Sequence, residues 1–315
     1  MTGDTVMTAD LFSVVSLPRQ PEYSRNHDLH FRSIERVIHA MARRLHLTMS
    51  NSQMADIACF SPCHFNRLFH KMTGIPPVQF HYALRIARAK DLLIETDISI
   101  TEICFDVGYN SLGTFVTRFN KLVGVPPSAF RSIARHIVGM RLADFPLPQA
   151  AVLAQSPCHD GIVGTINRNS GAALVFAGLF NQAIPVGGPH SCTLLSEGSD
   201  YVLPVPHDGL WYVLSVAVPR TADGIQLLTL KNLPRGRSAP IVVKGGRWGG
   251  DSSIRLSQPS ALDPPILAAI PIQAARLYKD SEFFLRRQAK RNSSQPSEYD
   301  ARHERSLVNL EEAKM

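Results

Sequence analysis

Cys63, His64, Asn66, Arg67, His70 and Lys71 fall between the apolar residues Phe65, Leu68, Phe69 and Met72, which recur with a helical period. The apolar four define a buried face, so the six polar residues point elsewhere. Two of them carry chemistry suited to nucleobase edges. An arginine guanidinium can meet guanine O6 and N7 with two parallel hydrogen bonds, and an asparagine carboxamide can do the same with adenine N6 and N7. Catalytic chemistry is sparser: His159, His190 and His207 lie near Asp160, Cys192 and Asp208, yet none falls in a nucleophile, metal or phosphate-loop motif. Five scattered cysteines form no disulfide framework and no Cys-x-x-Cys zinc spacing. A reduced, cytoplasmic, non-enzymatic protein with no metal and no cofactor is the expectation. No secretory pattern and no apolar run near the roughly 20 residues of a membrane span is visible.

The elements that must position these side chains occur twice. Phe65, Phe69, Gly74, Pro76, Pro77 and Phe80 return fifty residues later as Phe115, Phe119, Gly124, Pro126, Pro127 and Phe130, with Ser61/Ser111 and Lys71/Lys121 in the same register. Each copy opens on a helix-start signal, Ser50 with Gln53 and Ser99 with Glu102, in which hydroxyl and carboxamide or carboxylate satisfy free backbone donors reciprocally. A short apolar-periodic helix follows, then a turn at Cys59 to Ser61 or Gly108 to Asn110, then the phenylalanine-striped helix. Two short helices joined this tightly predict a helix-turn-helix, and the second turn has one residue more than the first. Between the copies, Pro77 can open a connecting helix through Phe80, Leu84, Ala87 and Leu92 to about Thr96. Ahead of them, Ile34, Val37, Ile38, Met41 and Leu45 predict an amphipathic helix over 29–46 with Arg32, Arg36, Arg43 and Arg44 outside.

This arrangement resembles the AraC/XylS family of transcription regulators. The likeness covers roughly a third of the chain and rests on Ser-Pro-Cys-His-Phe-Asn-Arg-Leu-Phe (61–69), Gly-Ile-Pro-Pro (74–77), Gly-Tyr-Asn-Ser (108–111) and Gly-Val-Pro-Pro-Ser-Ala-Phe-Arg (124–131). It implies a regulator that binds double-stranded promoter or operator DNA with two recognition helices, with RNA polymerase as a further partner. Aligned on Ser61 and Phe69, it puts base-edge contacts at Cys63, Asn66 and Arg67; Cys63 is a weaker reader than the polar residues often found there. In the second unit the corresponding residues are Leu112, Gly113, Thr114 and Thr117, where Thr117 stands in a position at which the family often has arginine. Leu112 and the threonine methyls can contact thymine methyls. His70, Lys71, Arg118 and Lys121 are the candidate phosphate ligands, and Arg118 reads equally as a solvated charge. An asymmetric site follows, one groove read strictly and its neighbour loosely.

The charge distribution agrees with a polyanionic partner. Of the net +7, residues 28–135 carry +5, from 13 Lys and Arg against 8 Asp and Glu, while 136–280 carry 11 against 9. The expected organisation is a flexible arm over 1–27, the tandem helix-turn-helix over 28–135, a linker over 136–160 containing Pro146, Pro148 and Pro157, a β domain over 161–280, and a charged tail over 281–315. The fold class is thus an all-α domain followed by an all-β sandwich.

Within the β region, 161–167, 173–180, 191–195, 201–204, 210–218, 226–230, 241–244 and 253–256 read as strands separated by Gly, Pro, Asp and Ser. The stretch 198–214 reads as a hairpin and resembles transthyretin-like or carboxypeptidase-regulatory-like sandwiches. Gly245 to Gly250 is a turn or loop, and Tyr201, Trp211, Tyr212 and Trp248 either fill the core or line a pocket. Such a domain could serve as a small-molecule effector site, a homodimer contact or a docking surface; in the family the effector domain more commonly precedes the DNA-binding domain. One alternative remains: Pro157-Cys158-His159 echoes the Pro-Cys-His-Arg motif of DNA alkyltransferases, although Asp160 replaces the arginine, and would make Cys158 a repair nucleophile.

Overall fold

The computed structural model describes residues 21–142, 152–154, 159–167, 174–185, 187–195 and 198–269. Seven helices come first: α1 (Pro21–Arg43), α2 (Asn51–Ala58), α3 (Pro62–Thr73), α4 (Pro77–Glu95), α5 (Ile100–Asp106), α6 (Leu112–Val123) and α7 (Pro127–Ile137). Both start signals form as full capping boxes. Gln53 N–H donates to Ser50 Oγ at 3.2 Å while Ser50 N–H donates to Gln53 Oε1 at 2.8 Å, and Glu102 and Ser99 exchange the same pair at 3.1 and 2.7 Å. Pro62, Pro77 and Pro127 each begin a helix, where the missing N–H costs nothing.

The repeated phenylalanines build two equivalent cores. Phe65 stacks edge-on to Phe69 at 5.5 Å and Phe69 to Phe80 at 5.5 Å; Phe115, Phe119 and Phe130 repeat the chain at 5.8 and 5.7 Å. All six are essentially inaccessible, and truncating any one to alanine costs about 3–5 kcal/mol through lost transfer energy and an unfilled cavity. Helix α4 joins the units, and its buried Arg85 ties them directly. Its guanidinium donates to Leu47 O at 2.8 Å on the first side and to Gly108 O at 2.9 Å on the second.

The remaining elements are β1 (Val152–Ala154), β2 (His159–Asn167), β3 (Leu174–Phe180), β4 (Ser191–Leu195), β5 (Asp200–Val205), β6 (Gly209–Val218), the short helix α8 (Gly224–Thr229), β7 (Arg235–Arg237), β8 (Ile241–Lys244), β9 (Arg247–Gly249) and β10 (Ile254–Arg255). A seven-stranded sheet has the order β1-β4-β3-β6-β8-β9 with β7 also on β6, and a three-stranded sheet has the order β10-β2-β5. The two sheets bury Ile162, Ile166, Tyr201 and Leu203 against Val175, Leu179, Trp211 and Val213 in a common core. The other face of the large sheet packs Phe176, Cys192, Leu194 and Val216 beneath α8 and Ile266, and this side meets the helices.

Several expectations change. Helix α1 starts at Pro21, inside the stretch read as an arm, and stops at Arg43 rather than His46; β1 and the start of β2 fall inside the stretch read as linker. Residues 226–230 are not a strand: Asp223 caps α8 through Gln226, whose N–H donates to Asp223 Oδ1 at 2.8 Å, a start signal present in the sequence. The hairpin over 198–214 does not form, because β5 and β6 belong to different sheets. Pro204 and Pro206 lack the donors a ladder there would need, and the Ser191 hydroxyl donates to Pro204 O at 2.7 Å. Part of 245–250 is strand β9, after a tight turn at Gly245 and Gly246, both with positive φ. Tyr201 and Trp211 are core residues: the Tyr201 hydroxyl donates to Ser252 O at 2.5 Å and the Trp211 indole to His207 O at 3.2 Å.

The β domain sits directly on the helical domain. Ile184 and Leu262 enter the core of the first unit, and Leu228, Leu267 and Ala269 enter that of the second. Gly224 lies against the Ile137 carbonyl so closely that no side chain would fit, and its N–H donates to Met140 O at 2.9 Å.

Candidate nucleic-acid interface

Helix α3 begins where Ser61 accepts a hydrogen bond from His64 N–H at 3.4 Å and ends at Gly74, whose φ of 82° closes the helix. With Phe65 and Phe69 inward, Cys63, His64, Asn66, Arg67, His70 and Lys71 are all exposed, as the apolar stripe requires. Helix α6 repeats the frame. Ser111 accepts from Thr114 N–H at 3.4 Å, Gly124 closes the helix at φ 101°, and Leu112, Gly113, Thr114, Thr117 and Lys121 are exposed. A side chain at Gly113 would meet only the Ser111 hydroxyl at 3.9 Å, so the protein itself does not demand glycine there.

Arg118 is placed differently from the other candidates. It is half-buried, and its guanidinium lies 3.9 Å from the centroid of the Tyr82 ring on α4, with Tyr109 at 5.9 Å. Arg85 approaches the same two rings at 5.8 Å. Two arginines thus clasp two tyrosines at the junction of α4 and α6, and cation–π attraction holds α6 in place. Neither reading of Arg118, phosphate ligand or solvated charge, anticipated this stack, since Tyr82 gives no local signal of it. Burial pushes the Tyr109 hydroxyl above its usual range, against the pull of the Arg118 charge.

Helix α3 has a neighbour that no local sequence signal announced. His30 of α1 lies 5.7 Å from Phe60, which lies 5.0 Å from His64. Past His30, Arg32, Arg36, His39 and Arg43 run along the exposed face of α1 beside Ile57. On α4, His81 is buried and burial, with Arg85 adding to it, lowers its pKa to about 4.

Residues 54–133 match the family described as a helix-turn-helix domain. Ninety residues are 34% identical to the arabinose operon regulatory protein of Escherichia coli, covering 28% of this chain and 31% of that protein. The helical part is a helix-turn-helix domain of the kind found in that regulator. The MmsAB operon regulatory protein of Pseudomonas aeruginosa is 32% identical over 99 residues, 31% of this chain and 32% of that one. AdaA of Bacillus subtilis, named as a bifunctional transcriptional activator and DNA repair enzyme, is 37% identical over 82 residues, 26% and 39% of the two chains. The chain therefore spans less than two-fifths of the length of each of these relatives. Among solved structures, the DNA-binding domain of AdpA in complex with a target DNA is 27% identical and covers 33% of this chain and 94% of that one, at a TM-score of 0.32.

Of the catalytic candidates, the rings of His190 and His207 lie 6.3 Å apart, and the side chains of His159 and Asp160 lie outside the described residues. His190 and His207 pack on Trp211 at 4.9 and 5.0 Å, and Cys192 is buried, its thiol pushed up to about 12 by desolvation. Such burial is that of a structural thiol. Among the described residues no three His, Cys, Asp or Glu side chains group as a metal site, and no helix is long and apolar enough to cross a membrane. Cys158, Pro146, Pro148, Pro157 and the 281–315 tail lie outside the described residues.

Proposed function

We propose that this chain is a sequence-specific transcription regulator that reads two adjacent major-groove segments of duplex DNA. The carrying observation is that the base-reading candidates on both recognition helices stay exposed although the β domain is packed against the same helical domain. In this reading Arg67 and Asn66 discriminate guanine and adenine in one groove, with Cys63 as a small neighbour. Leu112, Thr114 and Thr117 offer methyl contacts in the next groove, with Gly113 allowing close backbone approach. His70, Lys71 and Lys121 bind phosphates; Arg118 chiefly positions α6 through Tyr82. The β domain acts on promoter occupancy or polymerase contact through a small-molecule effector, a second copy of the chain or another protein, without enzymatic activity.

Selection of bound sequences from a random duplex pool, with the full chain at fixed salt, tests this directly. A two-part site with a tightly constrained half and a relaxed half is expected. Failure to enrich any site, together with flat salt dependence of DNA affinity, would remove the regulator reading. A repair nucleophile at Cys158 predicts loss of alkyl transfer in Cys158→Ala; under the regulator reading that substitution leaves operator binding intact.

A further inference from the structure

Helices α3 and α6 both end against the same part of the β domain. Helix α3 closes at Gly74, where a Cβ would meet Arg237 Nη1 at 2.5 Å, so the guanidinium lies directly over that terminus. Arg237 belongs to β7, is exposed, and donates from Nη1 to Ala183 O at 3.2 Å in the connection between β3 and β4. Four residues further along that connection, Gly187 N–H donates to Leu122 O at 3.1 Å in the last turn of α6. A Cβ on Gly187 would stand 3.2 Å from Lys121 O, so the two backbones run in close contact. Between Ala183 and Gly187, Ile184 is buried in the core of the first unit.

These contacts suit the ends they meet. The last carbonyls of a helix have no partner within it and carry the negative end of its dipole. On α6 a backbone N–H satisfies one of them, and at α3 a cation sits at the negative pole. Both groups stand on one platform, because Leu214 of β6 lies opposite Gly178 of β3 on one side and Arg237 of β7 on the other. Helix α4 with its Arg85 already joins the two units. A single connecting helix leaves two bodies free to pivot about it, and a second attachment at another place removes that freedom. The grip is at the C-terminal ends, which leaves Cys63, Asn66, Arg67, Leu112, Thr114 and Thr117 exposed.

We propose that Arg237 and the β3–β4 connection clamp α3 and α6 by their C-terminal ends and so fix the spacing at which the two helices read DNA. Arg237 is a positioning residue in this scheme. The clamp rests on protein contacts alone; its consequence for spacing rests on the regulator reading. One base pair added between two half-sites moves the second by about 3.4 Å and turns it by roughly 35°. A rigid pair of helices cannot follow that displacement, whereas a loosened pair follows part of it.

The test uses the full chain and its selected two-part site, with versions in which one base pair is inserted or deleted between the halves, compared by competition binding at fixed salt. The parent should lose at least about tenfold in affinity on either change, the cost of roughly one mismatched base pair. Arg237→Met, which keeps the stem and removes the charge and the donors, should shrink that loss to within about threefold, and Arg237→Lys should restore most of it. Hydrogen exchange reads the clamp without DNA: Arg237→Met should speed exchange in the last turn of α6, held through Gly187, as well as in that of α3. A spacing penalty unchanged in Arg237→Met, an affinity loss equal at every spacing, or exchange at the end of α6 that stays as slow as in the parent overturns the proposal. If the parent selects no DNA site at all, the regulator reading falls, and the clamp stands or falls on the exchange result.

Discussion

The two helix-turn-helix units have one skeleton and two surfaces. Inside, the triplets Phe65-Phe69-Phe80 and Phe115-Phe119-Phe130 stack at matching distances, and both units begin at a serine capping box and end at a positive-φ glycine. Outside, α3 presents Asn66, Arg67, His70 and Lys71 where α6 presents Val116, Thr117, Asn120 and Lys121. Core packing tolerates little change, because a lost methylene leaves a void, whereas an exposed position is free to follow the ligand. The two units thus share a scaffold and differ on the exposed faces of α3 and α6.

The sharpest break in this symmetry is at the first turn. Nine residues after each N-cap serine, the chain adopts a left-handed conformation: Cys59 has φ 59° in one unit and Gly108 has φ 85° in the other. A Cβ on Gly108 would collide with the Leu45 carbonyl oxygen and approach His46 Cα to 2.9 Å. Gly108→Ala should therefore cost ~3 kcal/mol of stability by urea unfolding; a loss below ~1 kcal/mol would mean that the 45–46 segment yields easily.

The proposed reading surfaces differ next. Arg67→Ala should lose about 1–3 kcal/mol at its cognate base and relax selectivity there, while Thr117→Ala should lose less than about 1 kcal/mol, measured by competition binding on single-base operator variants. Equal losses would erase the proposed asymmetry.

A third difference lies fifty residues apart on the helices after each repeat. His81 is buried on α4, with its pKa lowered to about 4, whereas its counterpart Arg131 donates to Ile98 O at 2.7 Å from a half-exposed position. The unfolded histidine protonates near 6.5 while the folded one stays neutral to about 4, so the unfolded state binds more protons between those values. Stability should fall as pH drops through that window, by up to about 1.4 kcal/mol per pH unit. His81→Gln should flatten the dependence of the urea midpoint on pH from 6.5 to 4; an unchanged slope would assign the acid sensitivity elsewhere.

The smallest effect returns to the turn. Cys59→Gly should stabilise the first unit by about 1 kcal/mol, because only the residue with a Cβ carries the left-handed penalty; thermal unfolding of the full chain reads it.

Much of the helical domain was legible because its signals are local. Ser50 with Gln53, Ser99 with Glu102, proline at the first helical position and phenylalanine every four residues each act within a turn or two. The α8 capping box at Asp223 and Gln226 was equally local but was submerged in an apolar run that resembled a strand. The β domain was legible only as strands in a row. Asp200–Val205 and Gly209–Val218 are adjacent in sequence yet pair with β2 in one case and with β3, β7 and β8 in the other, a choice that alternation alone does not encode.

By itself, the sequence determined the tandem repeat, its caps and which side chains of α3 and α6 face outward, since helical period and capping depend on neighbours within about four positions. Only the tertiary structure decided that Arg118 stacks on Tyr82, that Arg85 bridges the two units, and that Lys90 reaches carbonyls 176 and 177 residues away. Those contacts join segments distant in the chain, and their partners are set by how whole elements pack rather than by any local pattern.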